Sequence, residues 1–116
     1  MARRSVSLPA PARDALEMLG AQIRLARHQR GWTVAELAER IGVSDPTVIA
    51  VESGSPGTAV GTVLTAATLV GVPLFGVEDR DELARMRRRG EERLALISSR
   101  VRRGSDDADR DDDFAF

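Results

Sequence analysis

Residues 33–52 constrain the fold of this chain most, because their pattern predicts two short helices joined by one tight turn. Thr33 followed three residues later by Glu36 is the capping-box pattern that begins a helix. Apolar residues then recur at helical spacing until Gly42, which suits the left-handed end of a helix. Ser44 can cap a second helix, and the proline two residues later is tolerated in a first turn.

Helical patterns also flank this stretch on both sides. A long helix is predicted from about Ala12 to Gln29, and its core stripe consists of Leu16, Leu19, Ile23 and Ala26. A further helix is predicted to begin at Thr58, with an apolar face formed by Val60, Val63, Leu64, Ala67 and Val70. A last helix, from about Asp79 to Val101, carries only a thin apolar stripe, which Gly90 interrupts. The fold class is therefore all-α, a bundle of four to five helices with a C-terminal helical extension.

The positions of Ala38, Gly42 and Val48 resemble the small residue, turn glycine and buried aliphatic residue of the Xre/Cro, lambda-repressor-like helix-turn-helix family. The resemblance covers roughly residues 14–76. It implies that the helix after the turn lies in the major groove of double-stranded DNA and that the protein acts as a dimer.

The resemblance, together with charge and composition, divides the chain into four segments. Residues 1–11 are expected to be a flexible arm, residues 12–76 the helix-turn-helix DNA-binding domain, residues 77–102 a basic helical extension, and residues 103–116 a disordered acidic tail. All 17 basic residues are arginines, and the net charge of −1 hides a strongly basic stretch followed by residues 105–116, which carry six aspartates and one arginine.

Composition also limits the classes of protein to which the chain can belong. It has no cysteine, so disulfides and thiolate metal sites are excluded, and a cytoplasmic location is expected. No apolar run approaches the ~18 residues of a membrane span. With one histidine and no paired acid and base, we expect no enzyme activity, no cofactor and no metal site.

The resemblance assigns DNA contacts to the start of the helix after the turn and to nearby surface positions. The predicted contacts are Arg24, Arg27, Thr33, Ser44, Asp45, Pro46, Thr47, Ile49, Ala50 and Thr62. This set differs from the side chains of a recognition helix that binds bases tightly, which form bidentate hydrogen bonds to purines. It offers instead an anion at Asp45 and apolar groups at Ile49 and Ala50.

Two interpretations therefore compete. One is a dimeric, sequence-specific repressor that reads its operator by apolar contacts and DNA shape. The other is a protein-interaction adaptor whose degenerate motif binds DNA weakly or not at all. Residues 60–75, together with the acidic tail, are similar to antitoxin autorepressors encoded beside HipA-type kinase toxins, which implies a kinase partner.

Two further surfaces are predicted outside the motif. The partner-binding candidates are the arginine cluster and the tail phenylalanines, namely Arg85, Arg87, Arg88, Arg89, Phe114 and Phe116. The homodimer candidates are the apolar residues after the fourth helix and on the last helix, namely Leu74, Phe75, Leu94 and Ile97.

Overall fold

The structure is a computed structural model that describes the backbone of residues 7–103 and the side chains of residues 7–98. This part of the chain forms five α-helices: α1 is Ala10–Gln29, α2 is Val34–Ile41, α3 is Asp45–Glu52, α4 is Val60–Val70 and α5 is Arg80–Arg103. The prediction of an all-α bundle with a C-terminal helix is confirmed. Residues 104–116 of the predicted tail and the first six residues of the predicted arm lie outside the described residues, whereas Arg103 is the last residue of α5.

Helix α1 begins two residues earlier than predicted, because prolines do not obstruct a first turn. Pro9 is the N-cap, with an extended backbone (φ −60°, ψ 154°), and Pro11 lies within the first turn of the helix. The first N–H groups of a helix have no acceptor inside it, so a proline loses nothing there. The segment predicted as an arm up to residue 11 therefore already contains the start of α1.

The core lies among the first four helices, where α1 and α2 each pack against both α3 and α4. Its largest fully buried side chains are Ile23, Leu37, Val48 and Val51. Burying a side chain of this size contributes roughly 1.5–3 kcal/mol, so these residues hold all three helices of the N-terminal half together. On α4 the buried positions are Val63, Ala66, Ala67 and Val70.

The predicted start of α4 is wrong. The Thr58 hydroxyl donates a hydrogen bond to the Ser55 carbonyl oxygen (3.0 Å) within the preceding turn, and the helix begins at Val60 with Ala59 as its N-cap. Val60 is then 73% exposed rather than part of the core face. Ala66, which the predicted face omitted, is fully buried.

The chain divides into two compact units between Glu78 and Asp79. The first unit contains α1 to α4 and ends in a tight turn, where the Val77 N–H donates to the Leu74 carbonyl oxygen (3.0 Å). The second unit contains α5, whose described charged side chains form ion pairs along the helix, such as Arg87–Glu91 at 2.9 Å.

Candidate nucleic-acid interface

The turn between α2 and α3 is fixed by hydrogen bonds at both helix starts. Thr33 Oγ1 accepts from the Glu36 N–H (3.0 Å), while the Glu36 carboxylate accepts from the Thr33 N–H (2.8 Å), which completes the predicted capping box. Gly42 ends α2 at φ 87°, a conformation that side chains with a Cβ rarely adopt. Ser44 Oγ then accepts from the Thr47 N–H (3.4 Å) and starts α3. These local contacts set the angle at which α3 leaves the turn.

Helix α3 has one buried face and one open face. Val48 and Val51 are about 1% exposed and anchor the helix in the core. Ile49 is 56% exposed, and Asp45 is exposed at the N-terminal end of the helix. An isoleucine with so much surface in water is available for contact with another molecule.

The structure places most of the predicted DNA contacts at the surface. Exposed positions are Arg24, Thr33, Ser44, Asp45, Pro46 and Ile49, and half-buried positions are Thr47, Ala50 and Thr62. Among them, the hydroxyls of Ser44 and Thr47 are brought together at 3.0 Å. The open face of α3 therefore offers hydroxyls at its start and methyl groups further along, next to one carboxylate.

Arg27 does not fit the prediction of a DNA contact, because it is buried. Only 6% of the residue is exposed, and its guanidinium forms a double hydrogen bond with the Glu52 carboxylate at 2.6 and 3.0 Å. A further bond runs from its Nη1 to the Trp32 carbonyl oxygen (2.8 Å). The hydrogen bond with Glu52 raises the pKa of Arg27 above its ordinary value. Arg27 thus ties α1 to the last residue of α3, and its burial keeps the guanidinium away from a phosphate.

Gly20 allows α1 to approach the end of α3 very closely. A Cβ at this position would lie 2.6 Å from the carbonyl oxygens of both Val51 and Glu52. The two backbones can be this close only because the glycine has no side chain. Gly20 and the Arg27–Glu52 pair therefore hold α3 at its C-terminal end, while the turn holds its N-terminal end.

The spacing of residues along α1 is a sequence signal for these two contacts. Gly20 and Arg27 lie three residues before and four residues after Ile23, so all three share one helix face. Ile23 was correctly predicted to be in the core, which placed Arg27 there as well. Nothing local marks Glu52 as its partner, because the two residues are 25 positions apart.

Two arginines near the motif have structural partners. Arg30 and Arg40 lie over the Trp32 ring, with Cζ 5.3 and 4.1 Å from the ring centroid. Arg30 Nε also donates to the Val70 carbonyl oxygen (3.0 Å) at the end of α4. Such cation–π contacts contribute roughly 0.5–1 kcal/mol at exposed sites. Trp32 thus joins the end of α1 to the last turn of α2.

The predicted partner and dimer residues have different degrees of exposure. Arg85, Arg87, Arg88 and Arg89 are exposed on α5, where hydrogen bonds from Arg85 and Arg89 lower the pKa of Glu82. Phe75 is 78% exposed at φ 55°, whereas Leu74 packs partly against the core. Leu94 is exposed and Ile97 is half-buried. Phe114 and Phe116 lie outside the described residues.

In the described part of the chain, no helix combines the length and the apolar character that crossing a lipid bilayer requires. Among the same residues, no cluster of three or more histidine or acidic side chains is arranged to hold a metal ion.

Comparison with known proteins identifies the motif. A family model described as a helix-turn-helix domain matches residues 18–86, which is more than half of the chain. No curated protein is significantly similar to the sequence. A solved structure described as "Structure of HipA-HipB-O2-O3 complex" contains a chain that is 23% identical, with a TM-score of 0.47, over 65% of this chain and 96% of that chain. We draw no conclusion from a likeness at that level. On the family match, and on the α2–turn–α3 geometry, the chain belongs to the helix-turn-helix domain family.

Proposed function

We propose that the protein is a non-enzymatic transcriptional regulator that binds double-stranded DNA through α3, which would lie in the major groove. Membership of the helix-turn-helix family supports this function. The observation that carries it is the open face of α3, where Ile49 is 56% exposed on a helix held at both ends by the rest of the bundle. A rigid helix with a free face is what insertion into a groove requires.

The chemistry of this face determines the type of readout. The hydroxyls of Thr33, Ser44 and Thr47 are suited to phosphate or base edges, and Ile49 and Ala50 to thymine methyl groups. The exposed guanidinium of Arg24 is suited to a phosphate. Because Arg27 is engaged with Glu52 and Asp45 is an anion, we expect the helix-turn-helix to make few ionic contacts, so that its own contribution to affinity depends little on salt.

Replacing Ile49 by aspartate tests the role of this face. We expect Ile49→Asp to weaken binding to the DNA upstream of the protein's own gene at least about tenfold, which corresponds to about 1.4 kcal/mol, because a carboxylate would face base edges and phosphates. Fluorescence anisotropy with this duplex and with an unrelated duplex, over a series of salt concentrations, measures the effect. The matched control is Met18→Asp on α1, where the native side chain is 62% exposed. Equal affinity of both variants for the upstream DNA would contradict a role for α3.

We also propose that the regulator is a homodimer, since one short recognition helix gives limited affinity and a two-fold dimer reads two half-sites. Leu94 and Ile97 lie three residues apart on one face of α5, and Phe75 presents a further exposed apolar group. Pairing these groups between two copies would remove apolar surface from water, which favours association.

The Leu94→Asp variant is expected to be monomeric on size-exclusion chromatography with light scattering, whereas the native chain is expected to be a dimer. A carboxylate placed in an apolar contact has to be desolvated, which opposes association. Leu96→Asp is the control, because Leu96 is also exposed but lies about 200° around the helix from Leu94. A dimer that persists in Leu94→Asp would remove this face of α5 from the proposed interface.

The assignment of the protein to the antitoxin class of regulators rests on sequence resemblance. The resemblance of residues 14–76 to the Xre/Cro family, and of residues 60–75 to autorepressors encoded beside HipA-type kinases, supports a cytoplasmic antitoxin that represses its own operon. Isolation of the protein from its native host tests this, with a co-purifying kinase as the expected result. The second candidate is an adaptor without DNA binding. It is favoured by the shortage of hydrogen-bonding side chains on α3, and it would be supported if the protein co-purified with neither DNA nor a kinase.

A further inference from the structure

Helix α5 has a large excess of positive charge that its own residues do not neutralise. The helix carries nine arginines and four acidic residues, a net charge of +5. Its described ion pairs use only two of the carboxylates: Glu82 binds Arg85 at 2.7 Å and Arg89 at 3.4 Å, and Glu91 binds Arg87. Arg80, Arg88 and Arg93 are exposed and form no ion pair with any described side chain.

The paired arginines also remain open to a further anion. The side chains of Arg87 and Arg89 keep 60% and 61% of their surface exposed although each contacts a carboxylate. A guanidinium has five N–H donors in a planar fork, so one carboxylate does not saturate it. At 100° per residue, Arg85, Arg88, Arg89 and Arg93 lie within about 140° of one another around α5 and form a cationic surface, here called the arginine face.

We infer that the arginine face of α5 binds the acidic segment Asp106–Asp113 of the same chain. Residues 105–116 carry six aspartates and one arginine, a net charge of −5 that matches the +5 of α5. This segment is covalently attached next to the helix, whereas other anions of the cell are not. Tethering gives it an effective concentration of roughly millimolar, so individually weak contacts become populated.

The chain between α5 and the aspartates is long enough for this contact. From Arg103, the last residue of α5, back to Arg88 the helix spans roughly 22 Å, at 1.5 Å per residue. Asp112 follows Arg103 by nine residues, which extend to roughly 30 Å. Phe114 comes shortly after the aspartates, and Met86 offers it exposed apolar surface on the same helix.

The contact assigns a role to the acidic segment in regulation of the protein. The aspartates would occupy the arginines whenever no stronger polyanion is bound. This consequence rests on the proposed function: the segment would compete with DNA phosphates and reduce non-specific DNA binding. The contacts of α3 with base edges would then determine which DNA sequence is bound. The contact itself involves no DNA, so it is tested independently.

Paramagnetic relaxation in the full chain tests the contact directly. The native sequence has no cysteine, so Ala115→Cys provides a single site for a nitroxide label. The control is the same labelled chain carrying Asp111→Asn, Asp112→Asn and Asp113→Asn. At about 0.01 M salt, where the Debye length is about 30 Å, we expect the amide signals of Arg85–Arg89 to be at least about two-fold weaker in the chain with the native aspartates than in this control. At about 1 M salt, where the Debye length is about 3 Å, the difference should disappear.

A second variant raises the positive charge of α5 and leaves the acidic segment unchanged. Glu92 forms no ion pair with any described side chain, so Glu92→Gln makes the helix more basic without releasing an arginine from a partner. It should strengthen the signal loss at low salt. Equal signals in the native and asparagine chains at low salt would overturn the inference. A second sample mixes ¹⁵N-labelled chains that carry no nitroxide with nitroxide-labelled chains that carry no ¹⁵N. An equal loss of signal in that sample would overturn the inference in favour of contact between two chains.

Discussion

Replacing Glu52 by glutamine is expected to lower the free energy of unfolding of the helical bundle by about 3 kcal/mol. The change leaves the Arg27 side chain, only 7% exposed, without its counter-charge. Breaking a buried ion pair from one side costs about 3–5 kcal/mol, and the remaining amide oxygen still accepts a hydrogen bond, so we expect the lower end. Urea unfolding followed by far-ultraviolet circular dichroism should show a lower midpoint at an unchanged slope.

Two further variants identify the cause of this loss. In the double variant Arg27→Met with Glu52→Leu both charges are removed, and we expect most of the stability to return, because apolar residues of similar size often replace a buried pair without cost. Glu82→Gln removes an exposed carboxylate, which pairs with Arg85 and Arg89 on the surface, and should not shift the midpoint detectably. A Glu52→Gln variant as stable as the native chain would show that this pair does not hold α1 to α3.

Replacing Gly20 by alanine is expected to destabilise the bundle by about 1–3 kcal/mol, although alanine is the better helix former by about 1 kcal/mol. The added Cβ would lie 2.6 Å from two backbone carbonyl oxygens at the end of α3. No change of rotamer relieves such a clash, so α3 has to move away from α1. We therefore expect a lower unfolding midpoint together with weaker DNA binding.

Gly61→Ala in α4 is the matched control, because a Cβ at Gly61 meets no atom within 4 Å. We expect this variant to be as stable as the native chain or slightly more stable, from helix propensity alone. Both variants add one methyl group to a glycine within a helix, so their difference isolates the close approach of α1 to α3. Equal midpoints for the two variants would contradict that approach.

Sequence reasoning succeeded where the determinants of structure are local. The capping box at Thr33, the left-handed Gly42 and the Ser44 cap depend on residues at most four positions apart, and the structure contains all three. The resemblance also implies a buried aliphatic residue at Val48, and the structure buries Val48 together with Val51. The motif that presents α3 was therefore predictable, including the bounds of both of its helices.

The predictions from sequence are wrong where contacts join distant parts of the chain. Arg27 is predicted to contact DNA, whereas a carboxylate 25 residues away stabilises it in the core. Val60 is predicted on the apolar face of a helix that begins at Thr58, but α4 begins at Val60 and leaves its side chain exposed. Tertiary packing decides both positions, and the neighbouring residues do not show it.

The central claim is that α3 presents its open face to duplex DNA. The most direct measurement is a titration of the ¹⁵N-labelled full chain with the duplex from upstream of its gene, followed by backbone amide chemical shifts. The account predicts that the largest changes occur at residues 44–50, with smaller changes near Arg24 and Thr33. Changes confined to α5, or no changes at all with that duplex, would contradict it.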